Sequence, residues 1–403
     1  MRFTGISLNG VLVLASAVGL ATVAIPPRLQ AQTFTVIYTF TGGSDGANPL
    51  AGFAIDGLGN LYGTATYGGT PGDGVVFKLS ASGQETVLHA FTGGTDGANP
   101  EASLIMDKSG NLYGTTYSGG VSNAGTVFMV TRGGKEKVLH SFAGGTDGAS
   151  PVAGLTMDNA GNLYGTTTAG GSSGNGTVFK LAVPTVAGGA WKESLLYSFG
   201  TGTDGTIPIA GVTFDAAGNL YGTTSAGGTY GYGTVFQLAR SKSGWTENIL
   251  HEFALGDDGG VPYAGLVPNG TGGFYGAASD GGSGGENGGG SVFELTHTSG
   301  GWTFAVLYDL SGWGISGTFR NILLKSGNIY ATTHCDGDYS AGTVYELTPA
   351  NGTWTYSSLY VFTGGTDGTF SFSNLVFDKA GNLYGTTNVG GANGYGVAFK
   401  VTP

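Results

Sequence analysis

The chain has 403 residues, of which 81 are glycine, and 40% of its residues are hydrophobic whereas only 10% are charged. A chain this apolar is not disordered. Its net charge of −11, without a basic stripe, argues against nucleic acid as a partner because phosphate contacts need Lys and Arg. The single cysteine, Cys335, excludes an internal disulfide framework.

The N-terminal segment has the pattern of an export signal. Arg2 precedes a mostly apolar stretch from Ile6 to Ala24, and Ala31 fits a cleavage site. We therefore predict a signal peptide at residues 1–31 and a secreted or cell-surface protein that has no membrane contact after cleavage. An uncleaved anchor is the alternative, because an apolar stretch of about 19 residues can just span a bilayer.

One signature, Gly-Asn-Leu-Tyr-Gly, recurs along the chain at intervals of roughly fifty residues, in places with substitutions. Repeats of this length are typical of arrays in which each copy is one supersecondary unit. The tyrosines of the seven copies are Tyr62, Tyr113, Tyr164, Tyr221, Tyr275, Tyr330 and Tyr384.

The third copy shows four predicted strands. Strand c, from Gly176 to Leu181, is apolar at most positions rather than at alternate ones, which indicates cover on both faces. Sheets that stand face to face around an axis provide this cover, and no single copy buries its own faces. The other predicted strands are a, Ala153 to Met157; b, Asn162 to Thr168; and d, Glu193 to Phe199.

The two ends of the repeat region favour a closed ring over an open stack. A lone d strand, Phe34 to Phe40, begins the region, and a c strand, Gly396 to Val401, ends it without a d strand after it. The first strand therefore fits the vacant place in the last sheet, and closure removes exposed sheet edges. We predict an all-β fold, a seven-bladed β-propeller of four-stranded antiparallel blades, as a single domain over residues 32–403.

The copies GNLYGTTYSGGVSNAGTVF and GNLYGTTTAGGSSGNGTVF resemble the GloVer repeat of choice-of-anchor tandem-repeat proteins. The resemblance covers Phe34 to Pro403. It implies bacterial export and a propeller-like array, and it implies no established activity, so no catalytic residues are carried over. Many relatives end in a C-terminal sorting anchor that this chain lacks, which favours a protein that is released or held non-covalently.

Two sets of repeated aspartates are candidate functional residues. Aspartate in a turn accepts hydrogen bonds from nearby backbone N–H groups, so we expect both sets to be structural. The alternative for the second set is a weak calcium site completed by backbone carbonyls, because calcium takes about six to eight oxygens; no other cofactor is indicated. The a–b turn set is Asp56, Asp107, Asp158, Asp215 and Asp378, and the d–a loop set is Asp45, Asp96, Asp147, Asp204, Asp258 and Asp367.

The repeat is most irregular in the fifth and sixth copies, and local rules fail mostly at functional or strained sites. The irregular residues fall on d–a and b–c loops, so we expect them to gather on one face as a ligand site. There a ring would stack on a sugar, an Arg would pair with an anionic group, and acids would accept hydroxyl hydrogens or a cation. Ordinary drift of a degenerate repeat is the alternative. The predicted site residues are Trp313, Arg320, His334, Asp336, Asp338, Tyr339, Asp280 and Glu286.

Two classes of function fit these observations. A binding or scaffold propeller at the cell exterior needs only a stable body and variable loops; its partner would be a neutral or mildly charged glycan, or a protein. A secreted polysaccharide hydrolase or lyase would need a unique carboxylate pair about 5–10 Å apart or a metal-bound water. The chain has no His-His-carboxylate spacing and no Ser-His-Asp order, so the binding function is favoured. No pattern indicates an oligomeric state.

Overall fold

The computed structural model describes residues 32–186, 188–200, 202–283, 288–310 and 317–402. These residues form seven four-stranded antiparallel sheets, the blades of a propeller, which confirms the predicted fold class. The predicted signal peptide lies outside the described residues. Within them, no helix is both long and apolar enough to cross a membrane.

The strands of each blade are given from the innermost, a, to the outermost, d. Blade 1 contains β2 (Ala54–Ile55), β3 (Leu61–Ala65), β4 (Val75–Leu79) and β5 (Glu85–Ala90). Blade 2 contains β6 (Ile105–Met106), β7 (Leu112–Thr116), β8 (Thr126–Val130) and β9 (Glu136–Ser141). Blade 3 contains β10 (Thr156–Met157), β11 (Leu163–Thr167), β12 (Thr177–Ala182) and β13 (Lys192–Ser198). Blade 4 contains β15 (Thr213–Phe214), β16 (Leu220–Thr224), β18 (Thr234–Ser241) and β19 (Gly244–Glu252).

The last three blades follow the same order. Blade 5 contains β20 (Val267–Pro268), β21 (Phe274–Ala278), β22 (Ser291–Thr298) and β23 (Gly301–Asp309). Blade 6 contains β24 (Leu323–Lys325), β25 (Asn328–Thr332), β26 (Thr343–Ala350) and β27 (Thr353–Val361). Blade 7 contains β28 (Val376–Phe377), β29 (Leu383–Thr387), β30 (Val397–Thr402) and, as its outer strand, β1 (Thr33–Thr39). A short pair, β14 (Gly205–Thr206) with β17 (Ala226–Gly227), and one 3-10 turn, Gly145–Asp147, lie in loops.

Strand a is shorter than predicted. In blade 3 it covers only Thr156–Met157, not Ala153 to Met157. The preceding residues line the central axis, and their backbone accepts hydrogen bonds from the preceding blade: the Thr115 hydroxyl of blade 2 donates to the Ala153 carbonyl at 3.2 Å. Thr64 donates in the same way to Ala102 at 3.0 Å. These carbonyls serve the seam between blades rather than strand b, so the ladder within the blade ends early.

Aromatic rings lock neighbouring blades together. The phenylalanine of each strand c is fully buried, except that blade 6 has Tyr345 there, also fully buried. A second ring, at the end of the preceding d strand, meets it edge-on: Phe142 lies 5.2 Å from Phe179, and Phe199 lies 5.2 Å from Phe236. The core is therefore distributed over the seams between blades, as a stack of mutually dependent sheets requires.

The a–b turn aspartates are structural, as predicted. The Asp158 carboxylate accepts bonds from the backbone N–H groups of Ala160 and Asn162, both at 2.9 Å. It also accepts from the Asn162 amide at 2.7 Å and the Tyr164 hydroxyl at 3.2 Å, which explains the Asn and Tyr of the signature. Gly161 adopts φ +86°, a conformation that glycine reaches without steric cost. Burial acts to raise the pKa of Asp158, but these hydrogen bonds outweigh it and lower the pKa.

Small residues let the blades meet at the axis. A Cβ added to Gly211 would lie only 2.5 Å from the carbonyl oxygen of Gly154 in the neighbouring blade. A side chain there would push the two a segments apart. The channel between the a segments is thereby kept narrow, and its shape depends on which blades carry larger residues.

Candidate ligand site at the mouth of the central channel

The d–a and b–c loops lie on one face of the propeller, which we call the loop face. Within a blade the two loops pair by isolated β-bridges, such as Ala98 with Ser118 and Gly260 with Asp280. The described part of the irregular b–c loop of blade 5, at Asp280, therefore lies on this face. The a–b turns lie at the opposite ends of the strands.

One residue per blade begins the segment that lines the axis, at the same repeat position. Because equivalent positions of a ring encircle its axis, these residues surround the mouth of the channel on the loop face. The position is aliphatic or Glu in blades 1 to 4 and aromatic in blades 5 to 7. The residues are Leu50, Glu101, Val152, Ile209, Tyr263, Phe319 and Phe372.

Five rings of blades 5, 6 and 7 form a continuous cluster. Phe319 stacks on Tyr263 with ring centroids 4.9 Å apart, and it lies 4.9 Å from His334. His334 lies 4.3 Å from Phe372 and 4.8 Å from Phe370. All five rings are partly exposed, so together they form an apolar surface patch. We call these five residues the aromatic mouth.

The backbone of the aromatic mouth is constrained. Phe370 has φ +56°, a left-handed conformation that is rare for a bulky residue. Its N–H donates to the carbonyl of Ala341 at 3.1 Å, which fastens the d–a loop of blade 7 to blade 6. The same conformation recurs at this repeat position in other blades, as at Asn48 (φ +55°) and Ile207 (φ +57°), so it is a feature of the repeat.

His334 serves as a flat ring rather than as a cation. Burial lowers the pKa of His334 to about 4, so the ring is neutral at physiological pH. Its Nδ1 is buried and has no hydrogen-bond partner among the described residues. The histidine predicted from the sequence is therefore one of the clustered rings, and its role in ligand binding stays a prediction.

Arg320 reaches from blade 6 across the channel. Its Nη atoms donate to the carbonyls of Val152 and Glu101, both at 3.3 Å, on blades 3 and 2. The other copies have Ala or Ser at this position. Burial lowers the pKa of Arg320, and the Glu101 carboxylate opposes this effect. A cavity of about 370 Å³ on the axis is lined by residues of all seven blades, including Arg320 and Tyr263.

The remaining predicted site residues lie in different parts of the structure or outside its described residues. Asp280 lies beside the aromatic mouth, where burial and then the Asp280 carboxylate raise the pKa of Tyr263. Asp338 and Tyr339 are exposed on the b–c loop of blade 6. Two predicted residues lie outside the described part of the chain: Trp313 and Glu286.

Asp336 does not face the loop surface, contrary to the prediction. Its residue is only 8% exposed, and its carboxylate accepts bonds from the hydroxyls of Thr333 and Thr343. In blade 3 the equivalent hydroxyl, on Thr167, donates to the carbonyl of Ala169 at 2.9 Å. Asp336 supplies that acceptor inside blade 6, so its role is structural.

The d–a loop aspartates are engaged by their own loops, as predicted. Asp45 accepts from the backbone N–H of Thr41 at 2.9 Å and from the Tyr38 hydroxyl at 2.8 Å. His89 takes the place of this tyrosine beside Asp96, at 3.3 Å, which explains why the position alternates between Tyr and His. No group of three His, Cys, Asp or Glu side chains in the described residues is arranged to hold a metal ion, and the weak calcium site stays a prediction.

Exposed tyrosines surround the aromatic mouth at larger radius. Each lies on the b–c loop of a different blade, and their exposed fractions run from 41% to 62%. Large exposed rings on one face are a feature of ligand-binding surfaces. The five are Tyr67, Tyr117, Tyr230, Tyr339 and Tyr395.

Comparison with known proteins identifies the repeat. The model of the Gloeobacter/Verrucomicrobia repeat matches residues 24–213, 185–319 and 283–403, which confirms the resemblance found in the sequence. No curated protein matches the chain.

Solved structures share the fold. The extracellular domain of a candidate one-component system from B. thetaiotaomicron has a TM-score of 0.59 and 10% identity, over 91% of this chain and 40% of that chain. An ancestral GH74 enzyme has a TM-score of 0.57 and 14% identity, over 89% of this chain and 48% of that chain. A candidate 6-phosphogluconolactonase from Bacteroides uniformis has a TM-score of 0.51 and 16% identity, over 81% of this chain and 88% of that chain. This chain thus spans only 40% of the extracellular-domain structure, and identities this low show the fold alone.

Proposed function

Because this chain belongs to the Gloeobacter/Verrucomicrobia repeat family, whose repeats here build a propeller, we propose that it is a secreted or cell-surface binding protein. Its ligand is an extracellular glycan bound on the loop face at the aromatic mouth. The export signal predicted at residues 1–31 supports the location. The fold supplies a stable body, and the function resides in the loops that it carries.

The partly exposed rings of the aromatic mouth carry this proposal. A ring face stacks on the apolar C–H face of a sugar, and such rings lose little conformational entropy on binding. Ligand sites combine apolar walls with a few placed polar groups. Here Arg320 supplies donors across the channel from the rings, and Asp280 supplies an acceptor beside Tyr263. The exposed tyrosines of five b–c loops extend the surface for a longer chain of sugars.

The test is a glycan array probed with the wild-type protein, Phe372→Ala, Tyr339→Ala and Leu58→Ala. Leu58 is 73% exposed in an a–b turn, on the face opposite the loops, and serves as the matched control. We expect Phe372→Ala to weaken glycan binding by roughly twofold to tenfold, because one stacking contact is worth about 0.5–1.5 kcal/mol. Tyr339→Ala should weaken only longer glycans, and Leu58→Ala should bind like the wild type.

Two results would contradict the proposal. Binding that survives Phe372→Ala unchanged would place the site elsewhere, and a protein that binds no glycan would remove the proposed ligand class. Turnover of a bound glycan would instead favour the hydrolase or lyase.

A further inference from the structure

We propose that the glycan carries an acidic sugar residue, and that the Arg320 guanidinium binds its carboxylate at the mouth of the channel. This inference rests on the proposed function and names the class of ligand for the same site.

Arg320 is incompletely paired. A guanidinium has five N–H donors, and among the described residues Arg320 uses donors only toward the carbonyls of Val152 and Glu101. Both bonds are 3.3 Å long, beyond the usual range of about 2.7–3.2 Å. No described carboxylate forms a salt bridge with it, since the ion pairs found there all involve histidine. The Arg320 guanidinium therefore keeps N–H donors that can bind a ligand.

The surroundings of Arg320 favour the pairing of these unused N–H donors with a ligand. Arg320 lines the same cavity as Tyr263, and its guanidinium crosses the channel to the carbonyls of blades 2 and 3, so the charge lies inside the channel rather than in open solvent. A charge that is partly removed from water costs free energy unless it is paired, and the described residues form no salt bridge with Arg320. An anionic group from outside would remove that cost, and a planar carboxylate matches the guanidinium fork in two parallel hydrogen bonds.

Glu101 is the acid that opposes Arg320 across the channel. Burial raises the pKa of Glu101, and the charge of Arg320 opposes this effect only in part. A Glu101 that takes up a proton stops competing for the guanidinium. We therefore expect acidic glycans to bind more tightly as the pH falls, as long as the ligand carboxylate itself stays ionised.

The experiment compares a uronic acid tetrasaccharide with the same tetrasaccharide after its carboxyl groups have been reduced to alcohols, by calorimetric titration. The proteins are the wild type, Arg320→Gln, Arg320→Lys and Glu101→Gln, with Arg132→Gln as the charge-matched control. Arg132 lies near the a–b turns of blades 1 and 2, at the other end of the blades. Melting temperatures are recorded for every variant, because Arg320 also bridges blades.

We expect the wild type to bind the acidic tetrasaccharide on the order of tenfold or more tightly than the reduced one. Arg320→Gln should abolish this preference, Arg320→Lys should keep part of it, and Glu101→Gln should keep or increase it. The ratio of the two affinities cancels a general loss of folded protein.

The failures are distinguishable. Equal binding of both tetrasaccharides by the wild type overturns the acidic ligand and leaves the aromatic site intact. An acid preference that persists in Arg320→Gln assigns the carboxylate to another residue. If the wild-type protein binds neither tetrasaccharide and no other glycan on an array, the proposed function and this inference are both overturned.

Discussion

The seams between blades are closed in two different ways. One residue of each outer strand, d, faces two groups of the preceding blade. These are the His or Tyr ring of that blade's outer strand and the d–a loop aspartate that follows it. In blades 1 to 4 this residue is a glutamate, and in blades 5 to 7 it is aromatic. The seven residues at the position are Glu85, Glu136, Glu193, Glu247, Phe304, Tyr356 and Phe34.

The glutamate seams bring acids together away from water. Tyr197 donates its hydroxyl to Asp204 at 3.2 Å and to Glu247 of the next blade at 2.9 Å. Burial, and then the charge of the neighbouring loop aspartate, raise the pKa of Glu85, Glu136 and Glu193 to about 7. One Oε atom of each of these three residues is buried without a hydrogen-bond partner in the described structure. These seams are held by packing elsewhere, since their acids oppose closure.

The aromatic seams stack ring on ring. Phe304 lies 3.7 Å from His251, and Phe34 lies 3.7 Å from Tyr360, in both cases nearly parallel. Such pairs contribute about 0.5–1.5 kcal/mol beyond the burial of their area. Blades 5 to 7 are also the blades that supply the aromatic mouth. The divergent part of the propeller therefore combines the proposed site with the firmer seams, and a binding site benefits from rigid support.

Deletion of residues 33–40 should have the largest effect. It removes β1, which supplies Phe34 to the last aromatic seam and pairs with β30, where Phe34 lies opposite Val401. The exposed edge of β30 would invite aggregation. We expect insoluble protein or a fall in melting temperature of roughly 10 °C or more, measured by calorimetry.

A chain that lacks only residues 1–31 is the control for this deletion. Equal melting of the two truncated chains would show that β1 contributes nothing to the ring.

Exchange of the two seam types should have an intermediate effect. Phe304→Glu removes the stack on His251 and places a carboxylate near Asp258, so the free energy of unfolding should fall by about 2–4 kcal/mol. The reverse exchange, Glu193→Phe, removes an acid beside Asp147 and allows a ring to stack on His140. We expect it to raise the free energy of unfolding by about 0.5–1.5 kcal/mol.

Denaturant titration measures both changes. Phe304→Leu separates the loss of the ring from the gain of a charge and should cost less than Phe304→Glu. A stabilised Phe304→Glu, or a strongly destabilised Glu193→Phe, would contradict the difference drawn between the seams.

The fold could be predicted from the sequence because the repeat that forms one blade occurs seven times. The turn Asp158 and its Asn-Leu-Tyr neighbours recur at a fixed spacing, and strand c is apolar on both faces, so the blade and its stacking follow from local rules. The length of strand a could not be predicted, because the carbonyl of Ala153 bonds to Thr115 in another blade. That partner lies about forty residues away, and only the closed ring brings it close.

The candidate site could be predicted in part. The irregularity of the fifth and sixth copies pointed to Arg320, His334 and Asp280, which lie at or beside the channel mouth. It missed Tyr263 and Phe372, although the aromatic residues at one repeat position in the last three copies were a visible signal. It wrongly included Asp336, since the pairing of that acid with two buried hydroxyls depends on the course of the b–c loop.

The smallest expected effect is the pH dependence of the glutamate seams. Glu85, Glu136 and Glu193 have pKa values of about 7 in the folded chain, against an ordinary value of 4.5. The folded state therefore binds more protons than the unfolded state between pH 4.5 and 7, and the stability contributed by these groups falls as the pH rises through that window. Because these side chains are not fully buried, we expect less than about 1 kcal/mol for each.

Buried histidines act in the opposite direction over part of the same window. Burial lowers the pKa of His89 and His251 although their aspartate partners oppose it, so the stability that these groups contribute rises with pH as the unfolded chain loses its proton. The Glu contribution is therefore measured as a difference, between the wild type and a variant with Glu85, Glu136 and Glu193 all changed to Gln. The gain in stability of this variant over the wild type should be smallest near pH 4.5, grow as the pH rises and level off above pH 7. A gain that is the same at every pH would show that these glutamates titrate normally, and the seams of blades 1 to 4 would then differ from the aromatic seams in shape alone.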